Sequence, residues 1–333
     1  MSDQRGDGAV LIGVDVGGTK ILAMAIAAAD VAGTTHEGDV PPEPVGVFEV
    51  PTPTDPDLFD DAVTTAVTNA AAGAPIAAVG IGVPGFIGLD GIARQAPNAP
   101  AAIGVDLEAI VRAHFGVPCA VDNDANCAAR AASRWDAPEA KVVVAVTLGT
   151  GIGGGVVVDD EVMRGAHGFA SEPGHMIVDV NGPPCPCGQR GCWEVLASGS
   201  GLGRLGRAAV AEGTAPTVLA AAGGIDAVDG PLVARLSSEG DAAASAIFDV
   251  FAGWVAIGIV NLINLVDPDV IVLGGGVVRE GRALTDRIEA ALRSYPTITQ
   301  GRHTPVVASG MGHTAGALGA VLLARAVAGA GVD

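Results

Sequence analysis

Two stretches about 130 residues apart share one pattern, a β-branched strand, a Gly/Thr turn and a second strand. The first is VLIGVDVGGTKILAMAIA, from Val10 to Ala27, and the second is KVVVAVTLGTGIGGGVVVDD, from Lys141 to Asp160. Alternating or continuous β-branched runs broken by glycine read as hairpins. Their recurrence at domain scale describes two related α/β halves rather than a solenoid. The intervening sequence fits. VGVFEV is a short strand within the Pro-, Gly- and Asp-rich residues 30–57, Leu58 to Ala72 is helical, AAVGIGVPG is a strand ending in a turn, and Asp106 to Phe115 is a helix. After the second hairpin, residues from about 198 to 266 are mostly helical, and DVIVLGGGV (Asp269 to Val277) is a third strand ending in glycines. A helix from about Arg282 to Tyr295 and the apolar helix HTAGALGAVLLARAVAG follow. The alternation predicts an α/β protein of two lobes. Residues 9–121, with a C-terminal helix over 313–330, form the smaller N-terminal lobe, and residues 122–312 form the larger one.

Composition narrows the partners. The 333 residues are 49% hydrophobic, enough for real cores, and the 49 Gly and 21 Pro belong to a turn-rich globular chain. A net charge of −19 argues against a nucleic-acid partner, which would want a basic stripe. No charged segment followed by an apolar run opens the sequence, so a cytoplasmic protein is expected. The most apolar stretch, AGWVAIGIVNLINLV (Ala252 to Val266), is shorter than the ~20 residues of a membrane span. It reads as a buried core helix that has no membrane to cross.

Three Gly-rich turns follow strands: DVGGTK (Asp15 to Lys20), TLGTGIGGG (Thr147 to Gly155) and LGGG (Leu273 to Gly276). Glycine lets a backbone approach an anion and aim successive N–H groups at it. Any tight hairpin also favours glycine, so each turn alone says little. None matches the P-loop or the G-x-G-x-x-G dinucleotide pattern. Lys20, one of only two lysines, either reaches a phosphate or is solvated.

Three of the five cysteines lie within EPGHMIVDVNGPPCPCGQRGCWE, from Glu172 to Glu194. His175, Cys185, Cys187 and Cys192 spell H-x9-C-x-C-x4-C, a Cys₃His set suited to tetrahedral zinc. Four protein donors leave no position for water, so such a zinc is structural. Cys119 and Cys127 stand apart and read as small buried hydrophobes. The remaining histidines, His36, His114, His167, His303 and His313, have no ligand spacing. In VDNDAN (Val121 to Asn126), Asp124 sits where a strand ends and a helix starts. On local grounds it is either a helix cap or a functional carboxylate, and Asp122 reads as structural.

The ordered trio of Gly turns resembles the nucleotide site of the sugar kinase, Hsp70 and actin superfamily. That likeness implies a two-lobed, ribonuclease H-like α/β fold with a central cleft between the lobes. EPGH, CPCGQRGCWE and DVGGTK together resemble the ROK family (repressors, open reading frames and kinases), in particular its bacterial glucokinases, over about residues 10 to 325. By this resemblance Asp15 helps hold Mg²⁺ through water. Gly17, Gly18 and Thr19 meet one side of the ATP phosphates, with Lys20 the candidate cation beside them, and Gly149, Thr150 and Gly151 meet the other. Gly274 and Gly275 lie under the adenine. Glu172, His175 and Glu194 bind sugar hydroxyls, with the zinc clip aiming His175 and Glu194. Asp124 takes the proton of the attacking hydroxyl, Asn123 and Asn98 contact the sugar, and Gly85 offers backbone near it. Pro173 stands where many relatives carry another residue.

The resemblance implies an ATP-dependent glucokinase that uses glucose, ATP, Mg²⁺ and structural zinc, with a homodimer as the family-level expectation. A kinase of mannose, N-acetylglucosamine, fructose or allose, or one using polyphosphate, would keep the same motifs. A sugar-sensing repressor of the family carries an N-terminal helix-turn-helix, and here the phosphate motif begins by Asp15, which leaves no room for one. A zinc-carrying protein without catalysis would have no use for Asp124 and two phosphate hairpins.

Overall fold

The protein is described from a computed structural model over residues 8–31, 40–280, 282–295 and 303–329; His36 lies outside these residues. The chain divides into two compact units. One comprises residues 1–140, 155–171 and 314–333, the other residues 141–154 and 172–313. The sequence sets a boundary at 121/122, whereas residues 122–140 and 155–171 pack with the first unit.

The sheet of the first unit has the order Gly46–Pro51, Lys20–Ala27, Val10–Val16, Ile76–Val83, Cys119–Asn123. The hairpin strands pair antiparallel, and Ile76–Val83 runs parallel to both Val10–Val16 and Cys119–Asn123. Val10–Val16 is buried at nearly every position, as expected of a central strand covered on both faces. Ile12 and Val14 pack with Phe59, Val63 and Val67 of the helix Phe59–Ala71 and with Leu107 and Val111 of the helix Leu107–Phe115. Leu11, Ile26 and Ala78 pack on the other side with Val321 and Ala324 of the helix Ala315–Gly329. Period-2 alternation thus sends neighbouring strand residues into two separate cores.

The second sheet repeats the order: Glu161–Val162, Ile152–Val158, Val142–Leu148, Val270–Gly274, Val306–Ala308. Again a hairpin carries a third strand on its outer side and two parallel strands on its inner side. The duplication legible in the glycine turns is therefore a duplication of strand order.

The apolar stretch near residue 260 belongs to a helix of 25 residues, Ala242–Val266, longer than the sequence indicates. Asp241 extends it, because its carboxylate caps the new start by accepting from Ala244 N–H at 2.8 Å. The helix is long and apolar enough to cross a membrane by length and composition. Ile247, Phe251, Val255, Ile259 and Leu262 are buried along it, the pattern of a core helix. Trp193 is fully buried against it, with Nε1 donating to the Trp254 carbonyl at 2.8 Å.

Candidate active site and metal centre

In the first unit the strand Cys119–Asn123 passes directly into the helix Asp124–Ala131. Asn123 is the cap: its Oδ1 accepts from Asn126 N–H at 3.0 Å while its Nδ2 donates to the Gly85 carbonyl at 2.9 Å. Gly85 has φ of +110°, and a Cβ there would lie 2.0 Å from the Gln95 carbonyl oxygen, so only glycine fits. Asp124 opens the helix, with Oδ1 accepting from Ala125 N–H at 2.8 Å. Burial raises its carboxyl pKa above the ordinary value, against the lowering effect of that hydrogen bond.

Asp15 is the penultimate residue of the strand Val10–Val16 and interacts electrostatically with Asp124. Its pKa is raised to about 7, chiefly by burial and next by the Asp124 charge, while Lys20 pulls it down. Gly316 packs against this carboxylate so closely that a Cβ would lie 2.6 Å from it. The Gly17–Lys20 turn is closed by Gly17 N–H donating to the Lys20 carbonyl at 2.9 Å, and Thr52 Oγ1 donates to the Gly17 carbonyl at 2.6 Å. Gly18 lies over the backbone of Asn98, 3.0 Å from a built Cβ to its carbonyl oxygen. Lys20, Gly18 and Thr19 are exposed. Lys20 is neither free nor simply solvated, because it forms an ion pair with Glu49 on the adjacent strand.

In the second unit Gly149 N–H donates to the Gly151 carbonyl at 3.0 Å and closes the second Gly turn around Thr150. Glu194, in the short helix Trp193–Ala197, reaches this turn, with Oε2 accepting from Ile152 N–H at 3.1 Å. A Cβ on Gly151 would lie 2.2 Å from the same oxygen. Gly275 follows the strand Val270–Gly274 at φ of +92° beside Leu148, so the Gly274–Gly275 turn and the Gly149–Gly151 turn are neighbours. Glu172 precedes the single helical turn Pro173–His175, and its carbonyl accepts from His175 N–H at 3.1 Å.

His175 Nδ1 lies 3.9 Å from Cys185 Sγ, and Cys187 Sγ lies 3.6 Å from Cys192 Sγ. All four donor atoms fall within 4.8 Å of one another. Tetrahedral zinc with Zn–S of about 2.3 Å sets its sulfurs about 3.8 Å apart, so the donors fit that ion in both spacing and chemistry. With Nδ1 on the thiol side, the other imidazole nitrogen of His175 is left for a different partner. Cys119 and Cys127 are buried, and burial pushes Cys119 up to about 12 and Cys127 well above the usual thiol range, which makes both inert.

Sequence reasoning missed Arg130, Arg164 and Glu49. Asn126 and Arg130 share a face of the helix Asp124–Ala131, a spacing the sequence shows, whereas their partner Asp122 sits on the preceding strand and Arg164 carries no such mark.

The ROK family model matches residues 11–327. The chain belongs to the ROK family. It is 34% identical to a glucokinase of Streptomyces coelicolor over 326 residues, covering 94% of this chain and 97% of that one. A ROK family glucokinase from Streptomyces griseus, solved in complex with glucose and AMPPNP, superposes with a TM-score of 0.79 at 34% identity, covering 96% of this chain and all of the other. A xylose repressor of Bacillus spizizenii is 31% identical over 244 residues, and the match spans 59% of the repressor. This ROK protein thus has the mixed α/β fold of the sugar kinases within the actin and Hsp70 class.

Proposed function

We propose that the protein is a glucokinase, transferring the γ-phosphoryl group of ATP to the 6-hydroxyl of D-glucose, with Asp124 as general base. The observation that carries this reading is the relief of Asp124 from helix capping by Asn123, which leaves a desolvated carboxylate of raised pKa. A base works best with a pKa drawn toward the working pH. Asp124 accepts the hydroxyl proton as the sugar oxygen bonds to the γ-phosphorus and the bond to ADP breaks. Phosphoryl transfer otherwise asks the protein for positioning and electrostatics. The Gly17–Thr19 and Gly149–Gly151 turns offer backbone N–H groups to phosphate oxygens, with Lys20 beside the first, and Gly274 and Gly275 carry the adenosine. Asp15 would hold Mg²⁺ through water, and the ion would neutralise charge developing on the phosphates.

Glucose is held in this reading by Asn98, Asn123, Glu172, His175 and Glu194, with backbone from Gly85. Zinc on His175, Cys185, Cys187 and Cys192 shapes the loop and takes no chemical step. The 34% identity to a glucokinase over 97% of its length supports an enzyme. The enzyme works in the cytoplasm, where its substrates are, as a homodimer. An assay of sugar-phosphate formation over glucose, mannose, fructose, allose and N-acetylglucosamine, run with ATP and then with polyphosphate as donor, tests the assignment. Turnover fastest with glucose and ATP is expected, and a better rate with another sugar or donor reassigns the substrate.

A further inference from the structure

Beneath the Asn123–Asp124 corner lies Asp122, 0% exposed. A carboxylate so buried persists only when paired and hydrogen-bonded. Its Oδ1 accepts from Asn123 N–H at 2.8 Å and from Asn126 Nδ2 at 3.0 Å, and its Oδ2 accepts from Arg130 Nη2 at 3.1 Å. Arg164 adds an ion pair rather than an aligned hydrogen bond, its Nε lying 3.3 Å from Oδ1. Glu108, on the helix Leu107–Phe115, is near enough to Arg164 for their charges to attract, so two acids face two arginines.

Arg164 also makes a second contact. Its Nη2 donates to the Gly88 carbonyl at 3.2 Å. Gly88 closes the small hairpin of Phe86–Ile87 and Ala93–Gln95, with its N–H donating to the Ile92 carbonyl at 3.0 Å. Gly85 precedes that hairpin, and Asn98 follows it. One guanidinium therefore touches both the residue behind the Asn123–Asp124 corner and the hairpin that Gly85 leads into. The segment bearing Arg164 is seated there by more than one bond: the Phe169 ring lies 5.5 Å from that of Phe86, and a Cβ on Gly168 would lie 2.3 Å from the Ile87 carbonyl oxygen.

We propose that Arg164 is a positioning residue, fixing the Asn123–Asp124 corner and the Gly85 turn in one geometry for sugar binding and proton abstraction. This rests on the glucokinase reading for the roles of Asp124 and Gly85, while the geometry itself does not. The planar guanidinium fork suits such a double contact, and the point charge of lysine cannot reproduce it. Site geometry has to hold within about 0.5 Å, and misplacement by about 1 Å can cost about 10²-fold in rate.

The test is Arg164→Lys, which keeps the charge facing Asp122, compared with Arg164→Met. Arg164→Lys is expected to unfold within about 5 °C of the parent, with kcat at least ~10-fold lower, KM for glucose raised and KM for ATP unchanged. Its crystal structure should show Gly85 displaced from Asn123 by more than about 0.5 Å. Arg164→Met should also lose thermal stability. A purely structural ion pair predicts something else: lower stability in Arg164→Met, and parental kcat and glucose KM in Arg164→Lys. That result, or an unchanged Gly85–Asn123 geometry in Arg164→Lys, overturns the proposal. If Arg164→Lys fails to fold, Arg164→Gln, which retains a neutral N–H donor, is read by the same measurements. Should the parent phosphorylate no hexose, the functional reading fails by itself, and the crystal structure of the variant still decides the positioning role.

Discussion

Asn123 caps the helix that Asp124 begins, its Oδ1 accepting the N–H of Asn126 at 3.0 Å. Asp and Asn cap about equally well, so local sequence assigns the duty to either. With Asn123 in the role, Asp124 is not the cap, although its Oδ1 still accepts from Ala125 N–H at 2.8 Å. Burying an acid raises its free energy in the charged form, so a carboxylate kept at this place calls for a task.

The Cys₃His cluster is expected to hold about one zinc ion per chain, retained through purification without added metal. Elemental analysis checks the content. Acidification should release the ion, because protons compete for the thiolates and the imidazole. Cys192→Ser should lower both zinc content and the thermal midpoint. Folded, active protein free of zinc would refute the assignment.

Glu194→Gln should keep zinc and fold, because glutamine can still accept the Ile152 N–H that Glu194 takes at 3.1 Å. Glucose binding should weaken by about 1–2 kcal/mol as a charge-assisted hydrogen bond becomes a neutral one. Calorimetric titration measures the change. Parental affinity would remove Glu194 from the sugar site.

Asp15 predicts a stability trend with a definite sign. Its pKa is raised to about 7 in the folded protein, mainly by burial. From about pH 4 upward an unfolded Asp gives up its proton while folded Asp15 keeps it, so this group lowers stability as pH rises toward 7. The slope from this group ends above about pH 7, where both states are ionised. Asp15→Asn should flatten the decline, seen as the difference between the two proteins in thermal midpoint from about pH 5 to about pH 8. Parallel curves would show that Asp15 titrates normally.

Gly258→Ala sets two effects against each other. Alanine gains about 1 kcal/mol over glycine in a helix interior. Here its Cβ would lie 2.0 Å from the Trp193 ring, which is fully buried and anchored through Nε1 to the Trp254 carbonyl. Overpacking of about 1–3 kcal/mol should win, so the thermal midpoint should drop. An unchanged or higher midpoint would mean that the indole shifts freely.

Both hairpins were legible because β-branched runs around glycine admit few other readings, and the Cys₃His spacing carried its own geometry. The strand order of the second sheet could be anticipated only from the first. The assignment of residues 122–140 and 155–171 to the first unit was not legible, since it depends on contacts between segments distant in sequence. Lys20 shows the same limit. Its partner Glu49 is 29 residues away, and the two meet only once the strands have found their register. Arg164 was invisible for a related reason: its two contacts, to Asp122 and Gly88, come from segments 42 and 76 residues away in the chain.

The most direct test of the account is Asp124→Asn. The substitution preserves side-chain shape, leaves the Asn123 cap in place and removes only the proton acceptor. Glucose should still bind, as measured by calorimetry, because Asn98, Asn123, Glu172, His175 and Glu194 are untouched. Steady-state kcat with glucose and ATP should fall at least ~10²-fold, the low end of what a positioned base contributes. A kcat close to that of the parent would contradict the account and leave Asp124 without a catalytic role.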